Sequence, residues 1–347
     1  MSESAANDEK AVAGSHTIFA LPLRLHSQMK AIVQESYGSP DGLMLRKIEK
    51  PVVGDDDVLV RVLAASVNAY DWFMTKRLTH FIGMLRRVPP TRVRGADLSG
   101  HVEAVGRNVT RFRPGDEVFG MGIGSFAEYA TSTERRLAPK PRNLTFEQAA
   151  TLGIAALTAL QGLRDKACVH PGQRVLIYGA GGGVGTFAVQ IAKALGAHVT
   201  AASSTRNMEL LRSIGADEVI DYTKEDFTKS AQRYDILFDV GGDRSLSDCR
   251  RVLAPSAMHV LAGAGDRLWP LVSRLLESQL RSRIGRQRIG TFMARSTHED
   301  LVVLKDLAEA GKLTPVIDRT YPLREVPDAL RYVGTRGARG KVVIKVA

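Results

Sequence analysis

The chain has 347 residues, a length that favours two domains, and 44% of them are hydrophobic, which is enough for a large core. No apolar run is long enough to span a bilayer, and the two cysteines, Cys168 and Cys249, lack metal-ligand spacing and form no disulfide framework, which favours a cytoplasmic location. The formal net charge of +11 fits either an anion-binding face or a solvated basic surface.

The first 28 residues precede the first strand pattern. Their start is polar, with Glu3, Asp8 and Glu9, and the apolar stretch 17–25 is too short for the core of a signal peptide. The acidic residues also argue against a transit peptide. We therefore predict a loose N-terminal extension over residues 1–28.

From residue 29 to about 145 the pattern is one of short strands broken by Gly, Pro and Asp. The turn Arg113-Pro-Gly-Asp116 is typical of such a region, because Pro presets φ and Gly permits a positive φ. We predict a β-rich partial barrel. Its clearest strands are 58–62, 100–105 and 117–119, and 29–34 and 126–131 are further predicted strands.

The rest of the chain alternates helices and strands. Thr145-Phe-Glu-Gln148 is a capping-box signature that opens a helical region to about residue 163. From residue 174 the alternation predicts a parallel, doubly wound sheet, and therefore an α/β fold class. The predicted strands are 174–178, 198–202, 218–220, 234–240 and 257–262, and the helices are 184–195, 206–214 and 245–253. Helices at 297–310 and 326–333 precede a closing strand, 340–345, that we expect to return to the first domain.

A glycine-rich turn joins the strand 174–178 to the helix that follows it, and this context predicts a dinucleotide site. Gly179 permits the tight turn, Gly182 lets the backbone approach a pyrophosphate, and Gly185 lets the helix pack closely on the strand. The first turn of the helix offers free N–H groups to an anion. The spacing is G-x-x-G-x-x-G, and the alternative interpretation is a tight strand–helix turn without a ligand.

The end of the next strand discriminates between nicotinamide cofactors. NAD sites usually place Asp or Glu there to bind the ribose 2′-OH, and such a carboxylate repels the 2′-phosphate of NADPH. This chain has no acid at that point and offers Ser203, Ser204 and Arg206 instead, so NADPH is the predicted cofactor. Alternatively, Ser204 or Thr205 caps the next helix, and the two roles are compatible.

Short motifs are spread over the chain from about Met29 to the C-terminus. They are Ser66-Val-Asn-Ala-Tyr-Asp71, Gly95-Ala-Asp-Leu-Ser-Gly100 with Val105-Gly106, Phe112-Arg-Pro-Gly-Asp116-Glu-Val-Phe, Gly215-Ala-Asp-Glu-Val-Ile-Asp-Tyr222 and Ala338-Arg-Gly-Lys-Val-Val-Ile344. Together they resemble the medium-chain dehydrogenase/reductase superfamily, and in particular its zinc-independent quinone oxidoreductase-like branch. The first motif resembles the branch's VNPxD segment, with Ala69 in place of proline.

The resemblance implies a GroES-like catalytic domain formed by residues 29–152 and 296–347, with a Rossmann nucleotide-binding domain, 153–295, inserted between them. The active site would lie in the cleft between the domains, and a homodimer would form through the edge of the Rossmann sheet. Residues 75–94 match the branch poorly, and we expect them to shape the substrate pocket.

Carried over by position, the resemblance also implies the residues that contact the cofactor. They are Asn68, Thr158, Val240, Gly241, Ala262 and Gly263 at the nicotinamide end, Gly182, Gly183 and Val184 at the pyrophosphate, Ser203, Ser204, Arg206 and Tyr222 at the 2′-phosphate, and Arg339 and Lys341 near the C-terminus.

Zinc alcohol dehydrogenases of the same superfamily use a catalytic Cys, a Gly-His-Glu motif and a four-cysteine lobe. Here Gly100-His-Val102 has Val in place of the acid, and the first 167 residues contain no Cys. Because tetrahedral zinc needs three or four well-spaced ligands, we expect no metal and interpret His101 as an ordinary sheet histidine.

Without zinc to activate an alcohol, the easier reaction is reduction of a quinone or an α,β-unsaturated carbonyl acceptor by NADPH. Positioning and electrostatic preorganisation would supply most of the rate. We expect Asn68 to orient cofactor or substrate. Tyr70 is the candidate proton donor, although a pocket wall is an equal alternative, and Asp71 is more typical of a residue that holds backbone structure.

Two other functions stay open. An enoyl-thioester reductase would use the basic segment 281–295 to bind a phosphate of coenzyme A, and a non-catalytic NADPH-binding sensor would bind RNA through its arginines. No aromatic interleaving or nucleic-acid motif accompanies these arginines, so a nucleic-acid partner is not expected. They are Arg86, Arg87, Arg92 and Arg94, and then Arg267, Arg274, Arg281, Arg283, Arg286, Arg288 and Arg295.

Overall fold

The computed structural model describes residues 27–76, 93–262 and 287–346. The strands are β1 Gln28–Gln34, β2 Leu43–Glu49, β3 Asp57–Val67, β4 Asp97–Val105, β5 Glu117–Met121, β6 Tyr129–Thr133, β7 Leu137–Pro139, β8 Arg174–Tyr178, β9 His198–Ser203, β10 Glu218–Asp221, β11 Tyr234–Asp239, β12 Leu253–Leu261, β13 Arg288–Thr291, β14 Ile317–Pro322 and β15 Lys341–Lys345. The helices are α1 Ala69–Met74, α2 Phe146–Ala149, α3 Ile154–Gln161, α4 Gly183–Ala194, α5 Met208–Ser213, α6 Leu246–Arg251, α7 His298–Glu309 and α8 Val326–Gly334.

One sheet is parallel and has six strands in the order β10-β9-β8-β11-β12-β13. In β8, Val175, Leu176 and Ile177 are completely buried, as expected for a strand that is covered on both faces. Counted along the chain from β8, this is the strand order 3-2-1-4-5-6 of a Rossmann fold. The predicted doubly wound sheet is therefore confirmed.

The second sheet is built by both ends of the chain. Its order is β14-β15-β3-β4-β5-β7, with β6 also paired to β3, while β1 and β2 form a separate hairpin. Strand β15 runs antiparallel to β3, so the predicted return of the C-terminal segment is confirmed. The two sheets give the expected α/β combination of a Rossmann sheet and a β-rich domain, and the exact domain boundaries stay predictions.

Several predicted elements have different bounds in the structure, and for two of them the contacts show the physical reason. The strand predicted at 126–131 is β6 and begins only at Tyr129, because the preceding residues pair with β1 before the chain crosses to β3. There, Ile32 N donates to Phe126 O at 2.8 Å and Glu128 N to Lys30 O at 3.0 Å.

The helical region predicted from 145 to 163 is likewise interrupted. The capping box at Thr145 is present, but α2 ends at Ala149 and α3 begins only after Gly153. A Cβ on Gly153 would lie 2.1 Å from Oδ1 of Asp97, and the same oxygen accepts a 2.8 Å hydrogen bond from Ile154 N. The break therefore lets the chain pass closely over a buried carboxylate.

Candidate active site in the cleft between the sheets

A cleft of about 900 Å³ is lined by residues of both sheets. The parallel sheet contributes the residues that follow β8, β9, β11 and β12, which is where ligands bind in open α/β sheets. The opposite wall comes from α1, the segments 93–96 and 121–124, and the start of β15. Gly340 N donates to Gly181 O at 2.9 Å and joins the two walls at the glycine turn.

Gly179 and Gly185 have the backbone roles that the sequence predicted. Gly179 has a φ of +82°, and a Cβ on Gly185 would lie 2.4 Å from Gly179 O, so the helix packs directly on the turn. Gly182 is the N-cap of α4 and has no side-chain cap, and a Cβ there would meet nothing closer than 3.7 Å. Gly182, Gly183 and Val184 line the cleft, so the uncapped N-terminus of α4, the type of helix end that binds anions, lies at the cleft.

The residues predicted for a 2′-phosphate lie together at one end of this cleft. Ser203, Ser204, Arg206 and Tyr222 all line it. The alternative prediction, that the side chain of Ser204 or Thr205 caps the next helix, is wrong. Thr205 Oγ1 donates to Asp221 Oδ2 at 2.5 Å, and Ser204 makes no capping hydrogen bond.

A further polar group at this end was not predicted from the sequence. Asn207 lines the cleft and donates from Nδ2 to Ser203 Oγ at 2.8 Å, while its own Oδ1 is buried without a partner in the described part of the chain. Arg206 donates from Nη2 to Gly337 O at 2.8 Å and is therefore anchored across the cleft.

Most of the other residues assigned to the cofactor, at its nicotinamide end or near the C-terminus, also reach the cleft. Those that line it are Asn68, Thr158, Val240, Gly241, Ala262 and Lys341, together with Gly183 and Val184 of the glycine turn. Gly263 lies outside the described residues. Arg339 is exposed and does not line the cleft, and its backbone N–H donates to Asp318 Oδ2 at 3.0 Å. Arg336 lines the cleft instead.

A buried polar network holds Asn68 in one orientation. Its Nδ2 donates to Asp97 Oδ2 at 2.8 Å, and its Oδ1 accepts from Lys341 Nζ at 2.6 Å. Asp97 also accepts from Ser66 Oγ at 2.8 Å. Burial lowers the pKa of Lys341, although Asp97, 3.6 Å from its Nζ, opposes this effect. Lys341, which the resemblance assigned to the cofactor, lines the cleft and contacts Asn68 and Asp97.

Asp71 holds the backbone at the start of α1, as its position in the sequence suggested. Its Oδ2 accepts from Asn68 N at 2.8 Å, which completes a capping box. Burial raises the pKa of Asp71 to about 7, against the lowering effect of this hydrogen bond. Tyr70, one residue earlier, is half-exposed and lines the cleft.

Both parts of the chain match known protein families. The family model described as Alcohol dehydrogenase GroES-like domain matches residues 54–142, and the one described as Zinc-binding dehydrogenase matches residues 214–344. The 2-methylene-furan-3-one reductase of Solanum lycopersicum is 35% identical over 98% of this chain and 84% of its own length. The chain belongs to the medium-chain dehydrogenase/reductase superfamily.

Two more members of this superfamily indicate which of its branches the chain resembles. The chloroplastic NADPH-dependent alkenal/one oxidoreductase of Arabidopsis thaliana is 34% identical over 91% of this chain and 79% of its own. The structure of the quinone oxidoreductase from Coxiella burnetii is 30% identical and covers 92% of this chain and 100% of its own, with a TM-score of 0.81. These matches agree with the quinone oxidoreductase-like branch that the motifs indicated.

One of the matching family models is described as zinc-binding, but the described lining of the cleft offers no suitable set of zinc ligands. Its described lining contains no Cys, His or Glu, and its acids are Asp71 and Asp243. The ring of His101 packs against Phe146 at 5.1 Å and does not line the cleft. A zinc ion needs three or four N, S or O ligands in tetrahedral array, so the described lining does not fit one.

One group of metal-type side chains does occur within the described ranges. Asp239, Cys249 and His259 lie buried together in the parallel-sheet domain, outside the cleft lining. Asp239 Oδ2 is 3.3 Å from His259 Nε2, and Asp239 Oδ1 accepts from Gly242 N at 2.8 Å. The carboxylate thereby holds the loop that follows β11, whose residues Val240 and Gly241 line the cleft.

Proposed function

We propose that the protein is an NADPH-dependent, metal-independent reductase that transfers hydride to a quinone or an α,β-unsaturated carbonyl acceptor in the cleft. One observation carries the proposal: the uncapped N-terminus of α4 and the fixed amide of Asn68 share a cleft whose described lining lacks the ligands of a zinc site. Relatives of this chain carry reductase names, and a structural neighbour is a quinone oxidoreductase.

The preference for NADPH rests on the end of β9. No acid lines the cleft there, and two hydroxyls and a guanidinium, those of Ser203, Ser204 and Arg206, do. These groups donate hydrogen bonds to a 2′-phosphate, whereas an NAD site needs an acceptor for the 2′-OH. The name of the Arabidopsis relative, which specifies NADPH, agrees with this choice.

When bound, NADPH supplies hydride from C4 of the nicotinamide, and with one proton the net reaction converts an enone to a saturated ketone, or a quinone to a hydroquinone, and leaves NADP⁺. Asn68 positions the reactants from a fixed rotamer, because both ends of its amide are engaged. Tyr70 lies at the cleft with a hydroxyl that can donate to the oxygen on which negative charge develops.

The test is oxidation of NADPH and of NADH by the purified protein, with and without a chelator. The acceptors are quinones, short enones, a 2-enoyl thioester and simple aldehydes. We expect turnover of quinones or enones that prefers NADPH and is insensitive to the chelator. A preference for NADH would contradict the assignment of Ser203, Ser204 and Arg206, and loss of activity with the chelator would contradict metal independence.

The same assay separates the two alternative functions. Preferential reduction of the 2-enoyl thioester would favour the enoyl-thioester reductase. Tight NADPH binding without turnover of any acceptor, together with salt-sensitive binding of nucleic acid, would favour the sensor.

Location and assembly complete the proposal. The search of the described residues found no helix that is long and apolar enough to cross a membrane. Cys168 and Cys249 form no disulfide, which supports a reducing compartment such as the cytoplasm. For the predicted homodimer, β13 ends the strand order of the parallel sheet in the described ranges and offers an edge for pairing.

A further inference from the structure

Two arginines line the cleft on the side of Tyr70, away from the residues that follow β8 and β9. Arg94 precedes β4 and is only 7% exposed, and Arg136 lies in the turn between β6 and β7 and is half-buried. Both face the same cavity as Tyr70, and burial lowers the pKa of each guanidinium. Arg94 ends the segment 75–94 that was expected from the sequence to shape the substrate pocket, whereas Arg136 was not assigned to the site from the sequence.

Arg94 is held by neutral groups. Its Nε donates to Gln34 Oε1, and its guanidinium lies 5.6 Å from the centre of the Tyr37 ring. The amide of Gln34 is itself fixed, because Nε2 donates to Ser36 O at 3.2 Å and to Thr75 O at 3.3 Å. The buried side chain of Gln34 therefore orients Arg94 but does not neutralise its positive charge.

Within the described ranges, no carboxylate forms an ion pair with Arg94 or Arg136. Other arginines of this chain have acidic partners, such as Arg164 with Asp300 at 2.7 Å and Arg107 with Asp55 at 2.6 Å. The acid that most affects Arg94 is Asp71, whose Oδ2 already accepts from Asn68 N. A desolvated, unneutralised cation is costly unless a bound anion supplies the missing charge.

In our assignment, the phosphates of the cofactor do not supply the anion that would neutralise Arg94 and Arg136. The pyrophosphate and the 2′-phosphate are assigned to the glycine turn and to Ser203, Ser204 and Arg206, which all belong to the parallel sheet. Arg94 and Arg136 belong to the opposite wall, and each has the Tyr70 hydroxyl as an electrostatic neighbour. Their anion therefore belongs to the acceptor.

We propose that the physiological acceptor carries a carboxylate, which Arg94 and Arg136 bind on the Tyr70 side of the cleft. The inference rests on the proposed reductase and narrows its substrate to an anionic enone or quinone. A planar guanidinium binds a carboxylate through two parallel hydrogen bonds, which also fixes the orientation of the carbon that accepts hydride.

The test compares 4-oxo-2-pentenoate with its methyl ester, two acceptors with the same enone. The ester is the more electron-poor of the two, so a preference for the carboxylate has to come from the protein. We expect kcat/KM with NADPH to favour the carboxylate at least about tenfold, and Arg136→Gln to lower the carboxylate-to-ester ratio by about 10- to 100-fold. Arg94→Lys, which keeps the charge but loses the planar fork, should lower the ratio as well.

The matched control is Arg135→Gln, which removes the same charge from the neighbouring, exposed residue outside the cleft lining. It should leave the ratio unchanged. Equal turnover of acid and ester by the unmodified protein, or equal effects of Arg135→Gln and Arg136→Gln, would overturn the inference and leave the proposed reductase intact.

Calorimetric binding of 4-oxopentanoate and its methyl ester, with NADP⁺ present, gives a readout that does not depend on turnover. If the unmodified protein binds the acid and Arg136→Gln abolishes this binding, the anion site is supported. If no acceptor is reduced in addition, only the reductase proposal fails. The anion site is overturned if the unmodified protein binds acid and ester equally, or if the unmodified protein and Arg136→Gln bind the acid equally.

Discussion

Lys341 donates a hydrogen bond from Nζ to Oδ1 of Asn68 at 2.6 Å, across 273 residues of sequence. Lys341 lies at the start of β15, and Asn68 is the N-cap of α1, so the contact ties the C-terminal strand to the wall of the cleft. Together with the hydrogen bond to Asp97, it fixes which end of the amide is donor and which is acceptor. The orientation of Asn68 therefore depends on the return of the chain to the first sheet.

Replacement of this lysine should destabilise the fold. Lys341→Met leaves the buried Asp97 without its cation, and we expect the free energy of unfolding to fall by about 3 kcal/mol. Lys345→Met, on the same strand but exposed, is the matched control and should change it by less than about 0.5 kcal/mol. Urea denaturation measures both variants. Similar losses in the two would mean that the charge of Lys341 does not stabilise Asp97.

The glycine turn could be predicted from the sequence because its causes are local. A strand, three spaced glycines and an amphipathic helix lie within one continuous segment, and the reasons for Gly179 and Gly185, a positive φ and a close backbone contact, lie within that segment. The network around Asn68 could not be predicted in the same way. Its members Asp97 and Lys341 come from distant segments, and only the pairing of β3 with β4 and β15 brings them together.

The strands that the sequence did not reveal are mostly exposed or short. In β2 only Leu43 is buried, and in β14 no residue is, so neither strand has the alternation of apolar and polar residues that indicates a half-buried strand. The roles of the cleft arginines could be predicted only in part. Arg94 belongs to the segment that was expected to shape the substrate pocket, but its arginine-rich surroundings also fit a solvated surface, and its contact with Gln34 at the cavity comes from the structure alone.

Two glycines of the turn should respond differently to alanine. Gly185→Ala places a Cβ 2.4 Å from a backbone oxygen of the turn, so we expect a loss of about 1–3 kcal/mol in stability. Gly182→Ala meets no protein atom closer than 3.7 Å and should cost less than about 1 kcal/mol. Its methyl group would occupy the space assigned to the pyrophosphate, and we expect NADPH binding to weaken by about tenfold or more.

Thermal unfolding without nucleotide and fluorescence titration with NADPH measure these two effects separately. Undiminished NADPH affinity in Gly182→Ala would contradict the assignment of this space to the pyrophosphate.

Selectivity for the phosphorylated cofactor should depend on Arg206. Arg206→Ala removes a guanidinium that is anchored to Gly337 at the cleft, and we expect kcat/KM for NADPH to fall by about tenfold, with little change for NADH. Arg212→Ala, an exposed arginine at the end of α5, removes the same charge outside the cleft lining and is the control. A parallel loss with both cofactors would indicate a structural role for Arg206 and not recognition of the 2′-phosphate.

The raised pKa of Asp71 predicts a dependence of stability on pH. Burial raises this pKa to about 7 in the folded protein, against about 3.9 in an unfolded chain, so folding takes up a proton between these values. The stabilisation is complete below about pH 4 and is lost as the pH rises through 7. Between pH 5 and pH 8 we expect the unmodified protein to lose about 2–3 kcal/mol relative to Asp71→Asn.

Urea denaturation of both proteins at the two pH values measures this difference. Asp41→Asn is the control, because hydrogen bonds from Ser39 and Arg331 lower the pKa of Asp41 in the folded protein, and the ordinary Asp pKa of about 3.9 keeps it ionised in the unfolded chain over this range. Its difference from the unmodified protein should therefore stay constant. If the Asp71→Asn difference is constant as well, Asp71 is ionised in the folded protein throughout. The buried network would then carry both carboxylates, those of Asp71 and Asp97, against the single cation of Lys341.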